Sequence, residues 1–391
     1  MGVIFFVCRP SEDGFFVAQF LVGEEDEMKK IITSESVNCG HPDKTCDIIA
    51  DSFLDAALSQ DKNCQMAVEC AIKDDLLMIY GESTTTAQID YEEIAKQTLK
   101  EIGYDNDFRV IKTISTQSPD INQAVVKEEL CANDQGIMFG YASNESKNYM
   151  PLPITIAHEL MIAYDAYRRT QKDRYYADAK SQVSVVYEND VPVAIDTVLL
   201  SVSHSQTLEH DEIVKDMKEN VIDVVLKNYA ELSMVDMKLI INPSGKFTIW
   251  GSFSDSGCVG RKIVVDTYGG VGRVGGGCFS SKNATKVDRS ASYYCRYVAK
   301  NLVANGFADR CEVAVSYGIG LPGPISVHIE TFGTEKVSKE EIAKVVENNF
   351  DFTVKNIIKE LDLLRPIYKK TACFGHFGRN EFPWEQVKNI K

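Results

Sequence analysis

Residues 76–96, LLMIYGESTTTAQIDYEEIAK, indicate the fold of this chain, because an apolar strand-like run leads through a polar turn into a helix. The same order recurs at 198–215, VLLSVSHSQTLEHDEIVK, and at 325–344, ISVHIETFGTEKVSKEEIAK. A short Glu-Ile helix start is common, but three copies at nearly equal spacing favour a duplicated architecture. We therefore expect an α/β protein of the α+β type, with three similar domains in a pseudo-three-fold arrangement, each a mixed sheet covered by helices.

Helix caps support two of the three copies. Asp90 stands three positions before Glu93, and Ser338 stands three positions before Glu341. This spacing is typical of an N-cap residue and its third-position partner. The second copy lacks such a box in its sequence.

Length and composition bound the number of domains. The chain has 391 residues, of which 44% are hydrophobic and 25% charged, as in an ordinary globular protein of two or three domains. We expect a flexible N-terminal extension at 1–30, an N-terminal domain at 31–130, a central domain at 131–256 and a C-terminal domain at 257–391. Crossing of the chain between these domains is compatible with this division.

Charge, hydropathy and cysteine usage narrow the classes of partner. The formal net charge of −15 argues against a surface for nucleic acid or anionic membrane, and no apolar run reaches the length of a membrane span. The eleven cysteines contain no C-x-x-C pair and suit a reducing compartment better than a disulfide framework. We expect a cytoplasmic protein that binds neither nucleic acid nor membrane.

Further elements are predicted from periodicity. Apolar residues at helical spacing predict helices at Pro42–Leu58, 154–169 and 286–303. Short β-branched and aromatic runs predict strands at Lys238–Asn242, Phe247–Trp250, Arg261–Thr267 and Glu312–Tyr317.

Residues 244–289, SGKFTIWGSFSDSGCVGRKIVVDTYGGVGRVGGGCFSSKNATKVDR, carry the main functional signal. Six glycines between Gly269 and Gly277 let backbone N–H groups approach a ligand closely. The segment concentrates basic side chains in an acidic chain, namely Arg261, Lys262, Arg273, Lys282, Lys286 and Arg289. This excess predicts a polyphosphate ligand, and Asp255, Asp266 or Asp288 could hold Mg2+ against it.

Two common nucleotide motifs are disfavoured. Residues 270–275 match G-x-G-x-x-G behind an expected strand, but a dinucleotide site needs a helix at once, and further glycines and a polar run intervene. A P-loop needs Gly-Lys followed by Ser or Thr, whereas Phe247 follows Lys246.

The sequence GHPDK at 40–44 marks the expected start of the first helix, where unpaired N–H groups suit an anion. His41 can donate to a leaving phosphate, Lys44 can neutralise its charge and Asp43 can bind a metal. A capped helix start with solvated charges is the alternative interpretation.

Three isolated polar positions leave both a functional and an ordinary interpretation open. Ser181 and Gln182 stand at the expected entry of a strand, just after Asp178-Ala-Lys180, where a ligand or a surface turn would fit. Glu69 alternates with apolar neighbours, either facing solvent or binding a cation. The polar residues before Gly136 are compatible with a turn alone.

Together these segments resemble the methionine adenosyltransferase (S-adenosylmethionine synthetase) family. The resemblance runs from TSESVNCGHPDK at 33 to GHFGRNEFPWE at 375, nearly the whole chain after the extension. GHPDK, DQGIMFGYA at 134 and TKVDRSA at 285 are highly specific in combination. The family's three-fold duplicated fold agrees with the repeat.

The resemblance implies a reaction and its partners. The methionine sulfur would attack the ribose 5′ carbon of ATP and release tripolyphosphate, which would then be hydrolysed to pyrophosphate and phosphate. Two Mg2+ ions per site and K+ are implied as cofactors. A homodimer or a dimer of dimers is implied, with active sites at the subunit interface.

The resemblance also implies roles for single residues. Catalytic roles at the triphosphate fall on His41, Lys180, Arg261 and Lys282. ATP binding is implied for these four and for Asp178, Ser244, Lys246, Phe247, Asp255, Lys262 and Lys286. Methionine binding is implied for Glu82, Gln117, Asp134, Asp255 and Lys286. Asp43 and Asp288 would bind Mg2+, Glu69 would bind K+, and 117–127 resemble a mobile gate.

The chain departs from the family pattern at four places. Cys39 replaces a usual glutamate, and Lys246 stands where arginine is common. KNATK at 282–286 replaces K-D-P-T-K, and KDDLL at 73–77 replaces a K-T-G turn. None of these removes a residue with an assigned chemical role, so they bear on affinity and regulation.

Two other functions share some of these features. A different ATP-dependent ligase or phosphotransferase would use the phosphate segment but release ADP or AMP. A non-catalytic partner would bind nucleotide and regulate another subunit, but it would not need to retain His41, Asp43, Lys180, Lys282 and Asp288 together. Methionine-dependent formation of both pyrophosphate and phosphate separates adenosyl transfer from the ligase or phosphotransferase. ATP binding without turnover would favour the non-catalytic partner.

Overall fold

The computed structural model describes the backbone of residues 4–10 and 16–22 and, with side chains, residues 29–116 and 130–390. Its strands are β1 (Ile4–Pro10), β2 (Phe16–Val22), β3 (Lys29–Val37), β4 (Gln65–Lys73), β5 (Leu76–Thr84), β6 (Arg109–Ser115), β7 (Gly136–Ser143), β8 (Tyr175–Glu188), β9 (Val191–His204), β10 (Lys238–Ile241), β11 (Gly257–Cys258), β12 (Arg310–Tyr317) and β13 (Ser326–Glu330). Its helices are α1 (Pro42–Leu58), α2 (Tyr91–Ile102), α3 (Leu152–Thr170), α4 (His210–Met217), α5 (Asp223–Leu226), α6 (Ile263–Asp266), α7 (Val287–Ala304), α8 (Lys339–Asn349) and α9 (Val354–Glu360).

Three sheets are each covered by a long helix. One sheet has the order β10-β9-β8-β3, the second β11-β4-β5-β6 and the third β13-β12-β7. β10 runs parallel to β9 and β6 runs parallel to β5, while the other pairs in these sheets are antiparallel. Helix α3 packs on β8 and β3, α1 on β4, and α7 on β7 and β12. The predicted α+β class with three sheet-and-helix domains is confirmed.

The chain crosses between these sheets. β3 joins strands that lie more than a hundred residues later, and the short β11 joins the sheet of β4 and β5. β1 and β2 form an antiparallel pair of their own. The domain boundaries and the flexibility of 1–30 stay predictions.

The repeat predicted from sequence corresponds to β5 with α2, β9 with α4, and β13 with α8. The caps of the first and third copies are confirmed, because Asp90 and Ser338 accept the N–H groups of Glu93 and Glu341 at 3.1 and 3.2 Å. The prediction that the second copy lacks a box is wrong. The N–H group of Glu209 donates to the Glu212 carboxylate at 3.2 Å, so a glutamate takes the position usually held by a shorter cap residue.

Helix α1 is buried on nearly every side. Its apolar face places Cys46, Ile49 and Phe53 in the core with no exposed surface. The opposite face is also covered, although it carries Asp47 and Asp51. Buried carboxylates need partners, and these come from the segments described below.

Among the described residues, the buried apolar side chains form two cores. The larger core joins α1, α7 and the C-terminal segment, and the smaller core joins α3 with β8 and β9. In the larger core the rings of Tyr293 and Trp384 stack at 3.8 Å between centroids. The Trp384 indole N–H donates to the carbonyl of His376 at 2.8 Å, so the last turn of the chain is fixed against α7.

Most predicted elements are confirmed, and two strands are wrong. The three long helices occur at Pro42–Leu58, Leu152–Thr170 and Val287–Ala304, and the strands near 238 and 312 occur as β10 and β12. The segment 261–267 instead contains the short helix α6, because Asp266 turns inward to a buried lysine and the Thr267 hydroxyl donates to the Ile263 carbonyl at 2.8 Å.

Residues 247–250 lie outside any strand. The Phe247 backbone pairs with His204: its carbonyl accepts from the His204 N–H at 2.9 Å, and its N–H donates to the His204 ring at 3.1 Å. A single residue-to-residue contact at the end of β9 therefore replaces the strand pairing that the aromatic run predicted.

None of the helices in the described part of the chain has the length and apolarity needed to cross a membrane. No disulfide joins the cysteines of residues 29–116 and 130–390.

Candidate active site

His41 lies at the N-terminus of α1 and is almost fully buried. Its Nδ1 accepts the N–H of Asp43 at 3.2 Å, so the proton of the neutral ring sits on Nε2. Burial lowers the pKa of His41 to about 3, and the positive charges of Lys262 and Lys180 act in the same direction. The ring is therefore a neutral hydrogen-bond donor near pH 7.

The Asp43 carboxylate gathers the basic pair that follows β11. Lys262 Nζ lies 2.7 Å from Oδ2, Arg261 Nε lies 3.5 Å from Oδ1, and the Cys258 N–H donates to Oδ1 at 3.0 Å. Burial would raise the pKa of Asp43, but the bonds from Lys262 and Cys258 hold it below its usual range. His41, Asp43, Arg261 and Lys262 thus form one group, and its role as a phosphate site stays a prediction.

Asp178 and Lys180 lie inside β8, and the prediction that they precede the strand is wrong. Both side chains belong to one face of the strand, with Asp178 buried and Lys180 exposed. Burial raises the pKa of Asp178 to about 6, although it accepts the Gly251 N–H at 2.9 Å and lies near Lys180. Its Oδ1 is buried without a partner in the described residues, so it could accept a ligand hydroxyl.

The neighbouring Ser181 does not face this group. Its hydroxyl is buried and donates to the Ala157 carbonyl at 2.8 Å, which ties β8 to α3. The ordinary interpretation of this serine is therefore the better one.

The segment before β11 is the more open part of the same group. Ser244, Lys246 and Asp255 are exposed and Phe247 is half-buried. Asp255 is near enough to affect the charge of His41. The roles assigned to these four side chains at adenine and ribose stay predictions.

A second group forms where α7 begins. Lys282 Nζ and Asp288 Oδ2 are 2.5 Å apart, and both side chains are largely covered. The backbone of Lys282 forms a β-bridge with Ala67 on β4. Ala67 is paired on its other side with Glu82 on β5. The backbone of Gly277 passes close to the pair of Lys282 and Asp288, since a Cβ there would lie 2.5 Å from Lys282 Nζ and would displace the end of that side chain.

Lys286 belongs to this second group. Burial lowers its pKa, the nearby Lys282 adds to the shift, and the carboxylates of Glu82 and Asp134 oppose it. The group therefore contains two lysines and three carboxylates close enough to affect one another's charge, namely Lys282, Lys286, Glu82, Asp134 and Asp288. Such a mixture suits the charged ends of a zwitterion better than a phosphate alone.

Glu69 is half-buried on β4, opposite Tyr80 on β5. Burial raises the pKa of Tyr80 to about 12, and Glu69 contributes. Glu69 also acts on the Cys278 thiol, whose pKa is raised to about 11, chiefly by burial. The strand position leaves the interpretation as a cation ligand open.

The two groups are not bonded directly to each other in the described part of one chain. Across residues 29–116 and 130–390, no hydrogen bond or ion pair joins the His41 group to the Lys282 group. Gln117 and the predicted gate at 117–127 lie outside the described residues.

Four charged side chains that were predicted near phosphate or metal instead form ion pairs within the protein. Lys44 is fully buried, pairing with Asp47 at 2.8 Å and closely with Asp266, so neither Lys44 nor Asp266 is free for ligand or metal. Arg289 is fully buried against Asp51 at 2.7 Å. Arg273 pairs with Glu312 at 2.5 Å. A sequence cannot distinguish such cations from ligand-facing ones, because the partners come from distant elements.

The carboxylates Asp47 and Asp51 were missed by sequence reasoning. The available signal was the four-residue spacing of Asp43, Asp47, Asp51 and Asp55, which places them on one helix face. The apolar periodicity of α1 pointed to the opposite face as the buried one.

The carboxylates of the two groups can supply some of the ligands of a Mg2+ ion but not a complete set. No cluster of three or more His, Cys, Asp or Glu side chains suited to a metal occurs among the described residues. Mg2+ is commonly held by one or two carboxylates together with substrate phosphates and water. Asp43 and Asp288, each beside a lysine that could also meet phosphate, fit that pattern.

The substitution at Cys39 is structurally accommodated. The thiol is buried and accepts from Arg168 at 3.2 Å, while Asp165 pairs with Arg168 at 2.6 Å. Burial raises the pKa of Cys39 to about 11, so it is an unreactive thiol. Asp165 supplies the negative charge that Arg168 needs.

Comparison with known proteins covers nearly the whole described chain. Three family models match in order: the N-terminal domain of S-adenosylmethionine synthetase at 29–128, the central domain at 129–247 and the C-terminal domain at 249–386. The S-adenosylmethionine synthase of Mesoplasma florum is 50% identical over 375 residues, covering 93% of this chain and 99% of that protein.

Two further relatives agree. The S-adenosylmethionine synthase of Mycoplasma capricolum is 49% identical over 376 residues, covering 93% of this chain and 96% of that protein. That of Clostridium botulinum is 45% identical over 387 residues, covering 93% and 98%. With all three domains matched in order and both groups of charged side chains in the matched segments, the chain belongs to the S-adenosylmethionine synthetase family.

Proposed function

We propose that this protein makes S-adenosylmethionine from ATP and L-methionine, and that it then hydrolyses the released tripolyphosphate to pyrophosphate and phosphate. The observation that carries the proposal is the buried neutral His41 among Lys180, Arg261 and Lys262 at a helix N-terminus. This arrangement favours a departing polyanion. Family membership supports the same substrates.

In the first step, the lone pair of the methionine sulfur forms a bond to the ribose 5′ carbon. The C5′–O bond breaks, and its electron pair leaves with the triphosphate oxygen. A neutral thioether becomes a sulfonium cation, so no side chain needs to remove a proton. Catalysis therefore depends on in-line positioning and on positive groups around the leaving oxygen.

His41 would stabilise that oxygen as a neutral donor. With Nδ1 engaged by the Asp43 N–H at 3.2 Å, Nε2–H is the group that can donate. Lys180, Arg261 and Lys262 would share the charge of the phosphates. Because the pKa of His41 is lowered to about 3, this donor keeps its protonation state through the neutral range.

ATP would be oriented by the open segment beside this group. Phe247 would stack on adenine, Ser244 and Lys246 would lie beside the nucleotide, and Asp178 and Asp255 would bond the ribose. The buried, unpartnered Oδ1 of Asp178 supports that role, since an unmet buried acceptor gains from a hydroxyl donor.

Methionine would bind at the second group. Glu82 and Asp134 would hold its ammonium, and Lys286 would meet its carboxylate, with Gln117 and Asp255 as further contacts. The opposed effects of these charges on the Lys286 pKa support their proximity.

Two Mg2+ ions per site and K+ are proposed as cofactors. Asp43 and Asp288 would hold Mg2+ together with phosphate oxygens, and Glu69 would hold K+. When bound, Mg2+ neutralises charge on the triphosphate. Lys282 would contact the phosphates in both steps, because tripolyphosphate stays where the first step forms it.

A homodimer or a dimer of dimers would complete the site. The two groups have no direct bond within the described part of one chain, so a second copy could bring the Lys282 group of one subunit to the His41 group of the other. Such an interface is two-fold and yields two equivalent sites. The lack of disulfides among residues 29–116 and 130–390 supports a cytoplasmic location.

One incubation tests the reaction. ATP, L-methionine, Mg2+ and K+ are supplied, and products are identified by mass. S-adenosylmethionine with equal pyrophosphate and phosphate, absent without methionine, is expected. Formation of ADP or AMP would instead mean a ligase or phosphotransferase, and ATP binding without turnover would mean a non-catalytic partner.

A further inference from the structure

Four carboxylates follow one face of α1 at intervals of one turn, Asp43, Asp47, Asp51 and Asp55. Each accepts backbone N–H groups from a different loop position. Asp43 already has a proposed role at the phosphates. Asp47 and Asp51 touch no proposed ligand, and their contacts explain what they do.

Asp47 holds the segment that carries the first basic pair. Its Oδ1 accepts the N–H of Gly260 at 2.9 Å, directly before Arg261 and Lys262. The segment passes closely here, since Gly260 has φ of +77° and a Cβ would lie 2.3 Å from the Cys278 Cβ. The bond from Gly260 to Asp47 therefore fixes the backbone position of Arg261 and Lys262 relative to α1.

Asp51 holds the segment that carries Lys282. Its carboxylate accepts the Ser281 N–H and the Ser280 hydroxyl, both at 3.0 Å. It also pairs with two nitrogens of Arg289 at 2.7 Å, and Arg289 donates to the Lys282 carbonyl at 3.1 Å. One carboxylate thus fixes the backbone of Lys282 from two directions.

We propose that Asp47 and Asp51 are positioning residues, through which α1 fixes the backbone of each of the two basic segments of its own subunit. The residues are one turn apart, about 6 Å along a helix axis, and α1 is buried almost throughout. What the segments then do rests on the proposed function, but the anchoring itself does not.

Asp55 provides a matched control on the same helix face. It accepts the N–H groups of Tyr368 and Lys369, both at 2.9 Å. Neither Tyr368 nor Lys369 has a proposed role at the substrates. An Asp55→Ala variant loses two backbone bonds from α1 without releasing a basic segment of the site, whereas Asp47→Ala loses one such bond together with the ion pair to Lys44.

Hydrogen–deuterium exchange of the intact protein tests the anchoring without activity. In Asp47→Ala, amides at 258–262 should exchange about tenfold faster or more, the scale of one lost bond to a charged group. In Asp55→Ala the faster exchange should fall at 367–371 instead. Unchanged exchange at 258–262 in Asp47→Ala would overturn the proposal even if the protein makes S-adenosylmethionine.

Kinetics test the consequence. Asp47→Ala should raise the KM for ATP and lower kcat, together by about tenfold or more, and Asp55→Ala should change neither at a temperature where both stay folded. Asp47→Asn should restore slow exchange at 258–262, since its amide oxygen can still accept from Gly260, although its amide nitrogen then faces the buried Lys44 in place of the lost ion pair. Equal losses of kcat/KM in both alanine variants would mean that Asp47 contributes only to the stability of the fold, and would overturn the proposal.

A milder variant tests Asp51 without leaving Arg289 unpaired. Ser280→Ala removes only the hydroxyl bond to Asp51, so folding is preserved. Faster exchange at 280–283, with a lower kcat and an unaltered Tm, is expected. Faster exchange with unaltered kcat would refute the role of Asp51. A wild-type protein that forms no S-adenosylmethionine would refute the proposed function and leave the exchange results intact.

Discussion

His41 is the single side chain on which the reaction should depend most. His41→Asn keeps an acceptor for the Asp43 N–H, which Nδ1 takes at 3.2 Å, and removes the Nε2 donor. We expect kcat to fall roughly 100-fold or more, as when one oxyanion donor is lost, with Tm nearly unchanged. Single-turnover rates and thermal unfolding measure this, and a normal rate would exclude His41 from the chemistry.

His158 gives a pH effect at the same scale. Its Nδ1 pairs with the Ser36 hydroxyl at 2.8 Å, and burial, then Arg379 and Lys44, lower its pKa to about 3. The unfolded chain, whose histidines titrate near 6.5, takes up this proton between about pH 6.5 and 3 while the folded chain does not. Stability is therefore lost as pH falls through that window, by at most about 1.4 kcal/mol per unit.

The matched comparison uses His158→Asn and His328→Asn, because His328 is exposed. We expect the decline of the unfolding free energy between pH 7 and 5 to be shallower in His158→Asn and unchanged in His328→Asn. Identical slopes in all three proteins would contradict the assignment.

Sequence motifs identified charged side chains that gather in space, but they did not show which of the neighbouring charges are buried in ion pairs. His41, Asp43 and Lys262 were identified by motif and do gather in space. Lys44 and Arg289 carry the same kind of charge in the same motifs, yet both are fully buried in ion pairs. Charge type is local information, whereas its partner depends on how distant segments pack.

At the scale of elements, β5 contains a glycine that cannot be replaced. Gly81 has φ of +137°, and a Cβ there would lie 2.1 Å from the Ala67 carbonyl oxygen on β4. Gly81→Ala should therefore separate the strands beside Glu82, lower stability by more than about 1 kcal/mol and raise the KM for methionine more than that for ATP. Calorimetry and initial rates check both.

Gly333→Ala is the control for that prediction. Gly333 also has positive φ, at +71°, but a Cβ there would meet nothing within 4 Å. We expect some strain and no change in either KM. If both variants behave alike, close approach of β4 is not the cause.

Element prediction succeeded where periodicity was long. The helices at α1, α3 and α7 were predicted within two residues of their ends. The β-branched run Ile263–Val265 was wrongly predicted as a strand, because its conformation is decided by the buried contact of Asp266 with Lys44. Tertiary contacts override propensity most easily in segments this short.

At the scale of the molecule, mixing tests where the site lies. His41→Asn and Lys282→Met subunits, each nearly inactive alone, are unfolded, mixed and refolded together. If each site takes its two groups from different subunits, a mixed dimer holds one intact site, and about a quarter of normal activity should return. No return would place both groups of a site in one subunit.

Which strands make up each sheet could be predicted only in part from the sequence. Three repeats predicted three domains, but not that β3 joins β8 or that β11 joins β4. Strand pairing across such distances leaves no periodic signal, since each strand reports only which of its faces is buried.

The acids of α1 hold the loops by their main chain, and this bears on how such proteins diverge. The N–H groups of Cys258 and Ser281 would be present with almost any side chain at those positions. Substitutions there are therefore tolerable in principle, whereas one inserted residue would shift the following chain by about 3.3 Å and offer each carboxylate the wrong N–H. Among related proteins, the lengths of these loops should therefore vary less than the identities of their residues.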